Sequence, residues 1–130
     1  MGLFDRLPRL RTAVRAQSAR QQTGQDGEDA ALAYLGRHGL TLLQRNFRCK
    51  GGEIDLIMQD GDTLVFIEVR KRADLRHGGA AASVTHAKQA RLIIAAHSYL
   101  QRHRNPPPCR FDVIAIDAEA LSWLKNAFEA

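Results

Sequence analysis

The sequence predicts an α/β protein: a mixed sheet flanked by helices, with elements in the order α-β-β-β-α-β. Three observations predict it. Residues 53–59 and 63–71, EIDLIMQ and TLVFIEVRK, are β-rich runs on either side of an Asp-Gly turn, a strong local hairpin signal. Two stretches with helical apolar spacing bracket the strands, one from about Thr23 and one from Ser83. The run RFDVIAI, residues 110–116, alternates as a strand beyond the second helix, so it should join the sheet in parallel through a crossover.

The chain divides into a basic arm, 1–23, and one domain, 24–130. Residues 1–25 hold five arginines and one acid. Leu3, Leu7, Leu10 and Val14 recur at helical spacing, whereas Pro8 and the glutamines favour a loose tail; a basic arm of this kind can lie on phosphates or on a partner. The first helix should begin near Thr23, where Thr-x-x-Asp fits a capping box, and stop at Gly39. Ala31, Leu32, Tyr34 and Leu35 supply its buried side. Glu28 falls in its first turn, where a negative charge suits the helix dipole.

Leu40–Phe47 reads as a strand, with Arg45, Arg48 and Lys50 gathered at its exit. Gly51-Gly52 then suits a tight turn or the close approach of a ligand. Asp74–Ala82 reads as a loop able to contact phosphate. Ser83 can cap a helix running to about His103, with Leu92, Ile93, Ala96 and Leu100 inward. Lys88 and Arg91 share its outer side, as a solvated face or a phosphate-contacting one. Asn105-Pro-Pro-Pro108 ends it. Leu121–Phe128 fits either a last strand or a helical turn, with Trp123 packing on the body.

The hairpin carries the chemistry. If Asp60 and Gly61 are the central turn residues, Asp55 faces Phe66 and Glu53 faces Glu68. A period of two puts Glu53, Asp55, Glu68 and Arg70 on one face, while Ile54, Leu56, Val65, Ile67 and Val69 mark the other as core. Two carboxylates ~5 Å apart repel by about 3 kcal/mol at an effective dielectric near 20. Something positive must sit between them. Arg70 can serve, and a divalent cation with oxygen ligands serves better.

Composition narrows the class. A chain of 130 residues makes one domain. Its 19 Lys and Arg against 14 Asp and Glu give a net charge of +5. A basic domain whose acids gather in one place suits a polyanion, nucleic acid first. Two distant cysteines argue against structural zinc and for a reducing compartment. No run spans a membrane, and arginines at 6, 9, 11 and 15 interrupt any signal-peptide core, so the expected location is the cytoplasm with no membrane partner.

GEIDLI, the Asp-Gly turn, LVFIEV, RFDV and the closing NAF together resemble the YraN family of uncharacterised bacterial proteins, over roughly residues 24–128. That family is similar to archaeal Holliday-junction resolvases and to the restriction-endonuclease-like PD-(D/E)xK nucleases. The resemblance implies that Asp55 and Glu68 bind Mg²⁺ or Mn²⁺ and that Glu28 completes the metal site. Glu53 and Gln89 would support these ligands. Arg70 stands where the pattern has Lys, and an arginine cannot give up its proton. It can orient water and stabilise charge on phosphate. Lys71 should point to the opposite face. Arg48, Lys50, Arg72, Arg76, Lys88 and Arg91 would contact flanking phosphates. The implied activity is metal-dependent cleavage of DNA, including branched DNA, and a homodimer suits cutting two strands. The alternative is a non-catalytic nucleic-acid-binding module that keeps the fold.

Overall fold

The computed structural model describes residues 19–72, 79–118 and 120–130. Helix α1 spans Ala19–Arg37 and is followed by β1 (Thr41–Cys49), β2 (Gly52–Asp60) and β3 (Thr63–Arg72). A short helix α2 (Gly79–Ala82) and the longer α3 (His86–Leu100) lead to β4 (Cys109–Asp117) and β5 (Ala120–Phe128). The strands form one sheet in the order β1-β2-β3-β4-β5. All neighbours are antiparallel except β3 and β4, which run in parallel. The expected α/β class and mixed sheet are therefore present. The ambiguous tail is a fifth strand, and α1 already includes residues 19–22 of the expected arm.

Both faces of the sheet are buried. On one face α1 contributes Ala31, Leu32 and Leu35 to a cluster with Leu56, Met58, Val65, Ile67 and Ile114. On the other, α3 contributes Leu92, Ala95, Ala96 and Tyr99 to a cluster with Ile54, Ile57, Phe66 and Phe111. That is why strands β2 to β4 read as near-continuous apolar runs. The acidic face of the hairpin is not polar along its length: Phe66 lies on it and is fully buried under α3.

Two local expectations change. The hairpin pairs Asp60 with Thr63 and Leu56 with Ile67, so Gly61 and Asp62 are its central residues. Gly61 has φ +60°, at the first central position where type II′ turns place glycine. The register moves by two residues, which by itself preserves the face of each side chain. Ile54, expected on the face of Leu56, Val65 and Ile67, nevertheless lies on the α3 side, because the alternation of β2 breaks beside it. The long helix is capped by Thr85, whose hydroxyl accepts from Lys88 N–H, and not by Ser83. It ends at Leu100, short of His103.

The glycine pair does divide its work, but not toward a ligand. Gly51 makes the β1–β2 turn at φ +88°. Gly52 lets α3 approach: a Cβ there would collide with the Arg91 carbonyl oxygen. This contact places the first turns of α3 beside the start of β2, where the acids lie.

Candidate functional site

The strict alternation of β2 breaks at Asp55. Leu56 belongs to the α1-side cluster, yet Ile54 belongs to the α3-side cluster. The paired strand β1 breaks at the same level, where Asn46 adopts φ +52° between the pairs Arg45↔Leu56 and Phe47↔Ile54. Asparagine tolerates this left-handed conformation better than most residues. The β2–β3 pairing runs only from Asp60↔Thr63 to Leu56↔Ile67. Beyond it the Asp55 side chain takes the place of a backbone partner, and its Oδ2 accepts the Val69 N–H at 2.8 Å. The strands thus separate at the acids, and the separation opens a cleft.

The cleft has a volume of about 520 Å³. Glu28, Glu53, Asp55, Glu68, Arg70, Arg72, Lys88 and Arg91 all line it. Eight residues expected at the site are therefore brought together from α1, β2, β3 and α3. Lys71 joins them, because its stem lies against Gly27 of α1, on the other side from Arg70, and the cleft wraps round the end of the sheet. Gln89 does not line it; its amide donates to the Val84 carbonyl at 3.3 Å. Arg48 is opposite Glu53 in the β1–β2 ladder and Lys50 sits in the turn, both outside the cleft. Arg76 and residues 1–18 of the arm lie outside the described residues.

The acids sit where charge is costly. Glu68 is only 9% exposed. Burial pushes its carboxyl up to about 8, and the neighbouring Asp55 pushes the same way, while Arg70 and Lys88 pull it down. Burial also raises Asp55, against the stabilising Val69 N–H. Asp55 and Glu68 are close enough that each alters the proton affinity of the other. Glu28 rises to about 7, first through burial and then through the charge of Asp55. Arg45 and Asn46 partly offset this, and Arg45 Nη2 lies 3.3 Å from Glu28 Oε1.

The cations are unequal. Arg91 is paired with Glu53 at 3.4 Å, with both side chains about half exposed. Arg70 is held more firmly, with Nη1 3.4 Å from Glu68 Oε2 and Nε 2.8 Å from Ser83 Oγ. Lys88 projects from the first turn of α3 and acts on Glu68 from that side. Arg45 and Ser83 are the functional neighbours that sequence reasoning missed. Arg45 bridges Glu28 to Asp29, at 2.9 Å from the latter, whereas its sequence position suggested only a basic strand exit. No local signal links Ser83 to Arg70 across 13 residues.

Among the described residues no group of three or more His, Cys, Asp or Glu side chains is gathered as a ready-made metal cage. The Asp55–Glu68 pair nevertheless fits Mg²⁺, which takes one or two protein carboxylates and keeps waters or substrate phosphate for the rest. Their mutual repulsion is what a cation between them would relieve. Among the described residues no helix is long and apolar enough to cross a membrane.

Fold and site define an α/β protein with a five-stranded mixed sheet and a buried acidic pair where two strands part. A model described as "Uncharacterised protein family UPF0102" matches residues 27–116. The chain is 71% identical over 116 residues to a UPF0102 protein of Herminiimonas arsenicoxydans, covering 89% of this chain and 94% of the relative. It is 64% identical over 122 residues to one from Janthinobacterium sp. (strain Marseille), covering 94% and 99%. A Methylibium petroleiphilum relative is 56% identical over 114 residues, covering 82% and 93%. The chain belongs to the UPF0102 family, the YraN family of the sequence resemblance.

Proposed function

We propose that the protein is a divalent-metal-dependent phosphodiesterase that cuts DNA, with branched DNA the expected substrate shape. The observation that carries this reading is the Asp55–Glu68 pair at the parting of β2 and β3, both carboxyls raised by burial, in a cleft lined by Lys71, Arg72 and Lys88. Asp55 and Glu68 would hold Mg²⁺ or Mn²⁺, with the Val69 carbonyl as a further ligand. Glu28, the third acid that the resemblance implies, lines the same cleft but is paired with Arg45 and is not gathered with the other two. When bound, such a metal would supply Lewis-acid chemistry, activating water and neutralising phosphate charge. Arg70 cannot be a base. Anchored as it is, it orients the attacking water or holds the scissile phosphate. Lys71, Arg72 and Lys88 hold flanking phosphates and carry no sequence information. A homodimer would set two such clefts on two strands.

Arg70 also supports a second reading. Its contact with Glu68 partly neutralises the acids without a metal, as a non-catalytic nucleic-acid-binding module would require. Titration of Mn²⁺ and Mg²⁺ by calorimetry, with Asp55→Asn as control, separates the two. Saturable binding lost in the variant, followed by metal-dependent cleavage of duplex, single-stranded or branched DNA, is the expected outcome. Absence of metal binding with DNA present, alongside DNA binding that falls steeply with salt, would overturn the nuclease reading in favour of the module.

A further inference from the structure

Arg70 is gripped from a part of the chain that the acids do not explain. Its Nε donates to Ser83 Oγ at 2.8 Å. Ser83 can accept because its own hydrogen is committed, donated to the Ala80 carbonyl at 2.6 Å. Ser83 N–H also donates to that carbonyl, at 3.0 Å. Ala80 is in turn fastened to the sheet, its N–H donating to Asp117 Oδ1 of β4 at 2.5 Å. Gly79 permits this approach, since a Cβ there would press on Asp117 Oδ1. A continuous line of hydrogen bonds therefore runs from β4 through α2 to the guanidinium in the cleft.

A guanidinium has five N–H groups in a planar fork. Among the described residues, Nε serves Ser83 and one hydrogen of Nη1 serves Glu68. No acceptor among the described residues meets the other three hydrogens, on Nη1 and Nη2, and the Nη side of a guanidinium can pair with two phosphate oxygens. The side chain keeps 21% of its surface exposed, enough for a ligand to reach it. Lysine in this place would have no Nε–H to offer a hydroxyl beside it and no fork to present.

We propose that Ser83 is a positioning residue: its hydroxyl locks the Arg70 guanidinium so that the Nη edge clamps a phosphodiester in the cleft. This rests on the reading that the cleft binds nucleic acid. It assigns α2 and the link that follows it a share in the site, and it gives arginine a role that lysine could not fill.

Two measurements test it on the full chain. The first needs no ligand. In the ¹⁵N-labelled protein the Arg70 Nε–H is expected to give a resolved, slowly exchanging signal. Ser83→Ala should move it into the averaged signals of free arginines, and Ser83→Thr, which keeps the hydroxyl, should restore it. An Arg70 signal unchanged in Ser83→Ala overturns the lock. The second is a double-mutant cycle on binding of a fluorescein-labelled DNA duplex, read by anisotropy. Ser83→Ala is expected to weaken binding about tenfold, as loss of a charge-assisted hydrogen bond does. In an Arg70→Gln background the same change should cost nothing further. Additive losses overturn the clamp and leave the cleft reading intact, since Ser83 would then act only by holding its loop. A parent protein that binds no DNA overturns the clamp together with the function it rests on, while the NMR result still reports the lock.

Discussion

Two buried acidic centres lie on neighbouring strands, and they are built in opposite ways. Asp112 of β4 is completely buried, yet every side of its carboxylate is served. Arg110 Nε lies 3.0 and 3.2 Å from its two oxygens, Trp123 Nε1 donates at 2.9 Å, and Asn126 N–H donates at 2.9 Å. Arg110 reaches on to Asp60 at 2.9 Å. In the cleft, Asp55 and Glu68 face each other, with burial raising the proton affinity of both. A buried charge with a full set of donors is an anchor. Buried charges that compete for donors keep an unmet demand for positive charge, which marks a site.

The anchor explains part of the sequence signature. Asp112 belongs to RFDV and Asn126 to NAF, and the structure joins them. Phe111 and Phe128, from the same two motifs, stack at 4.8 Å between ring centroids. Asn126 takes φ +52°, beside the irregular β4–β5 register between Phe111 and Val113. These residues fasten the last strand; they do not line the cleft.

The sharpest way to break the contrast is to remove one charge from each centre. Asp112→Asn leaves Arg110 without its buried partner and should lower unfolding stability by about 3–5 kcal/mol in urea melts. Asp55→Asn should raise stability at pH 8, because the ionised acid is disfavoured by the fold. Equal losses in both variants would show that the two centres do not differ. A smaller effect comes from trimming a donor. Trp123→Phe should cost about 1–3 kcal/mol, since one Asp112 oxygen loses its indole N–H.

A further contrast is in pH. Glu68 moves from an ordinary 4.5 to about 8, and Glu28 from 4.5 to about 7. Between these values the folded chain binds more protons than the unfolded one. Stability should therefore fall as pH rises from about 4.5 toward about 8, with a slope on the order of 1 kcal/mol per pH unit at most for each proton. Glu68→Gln should flatten the upper part of that fall, and Glu28→Gln the lower part. Melting curves across the pH range read both.

Much of the cleft was legible because a strand repeats every two residues. Asp-Gly-Asp left the turn uncertain by one step, and the hairpin formed two residues out of the expected register. Parity protected the conclusion: Asp55, Glu68 and Arg70 still meet. Arg48 and Lys50 failed to reach the cleft for the same physical reason that Gly52 exists. Helix α3 packs directly on the start of β2, so the turn residues are carried past the site and α3 supplies Lys88 and Arg91 in their place. Asp112 drew no attention in sequence, since one acid in an apolar strand shows neither its burial nor the Trp123 and Asn126 donors that reach it once β5 folds back.

By itself, the sequence determined the order of the main elements from the first helix to β4, the parallel entry of β4, the shared side of Glu68 and Arg70, and the family, whereas α2, β5 and the reversed side of Ile54 came only with the structure. What it determined follows from periodicity, turn chemistry and loop length, which are local. Only the tertiary structure decided which acids stay strained and which are satisfied. Satisfaction depends on donors from distant elements: Trp123 and Asn126 for Asp112, and Ser83 and Lys88 around Arg70 and Glu68. Electrostatic cost is set by burial and by neighbours in space, and neither is written in the spacing of residues along the chain.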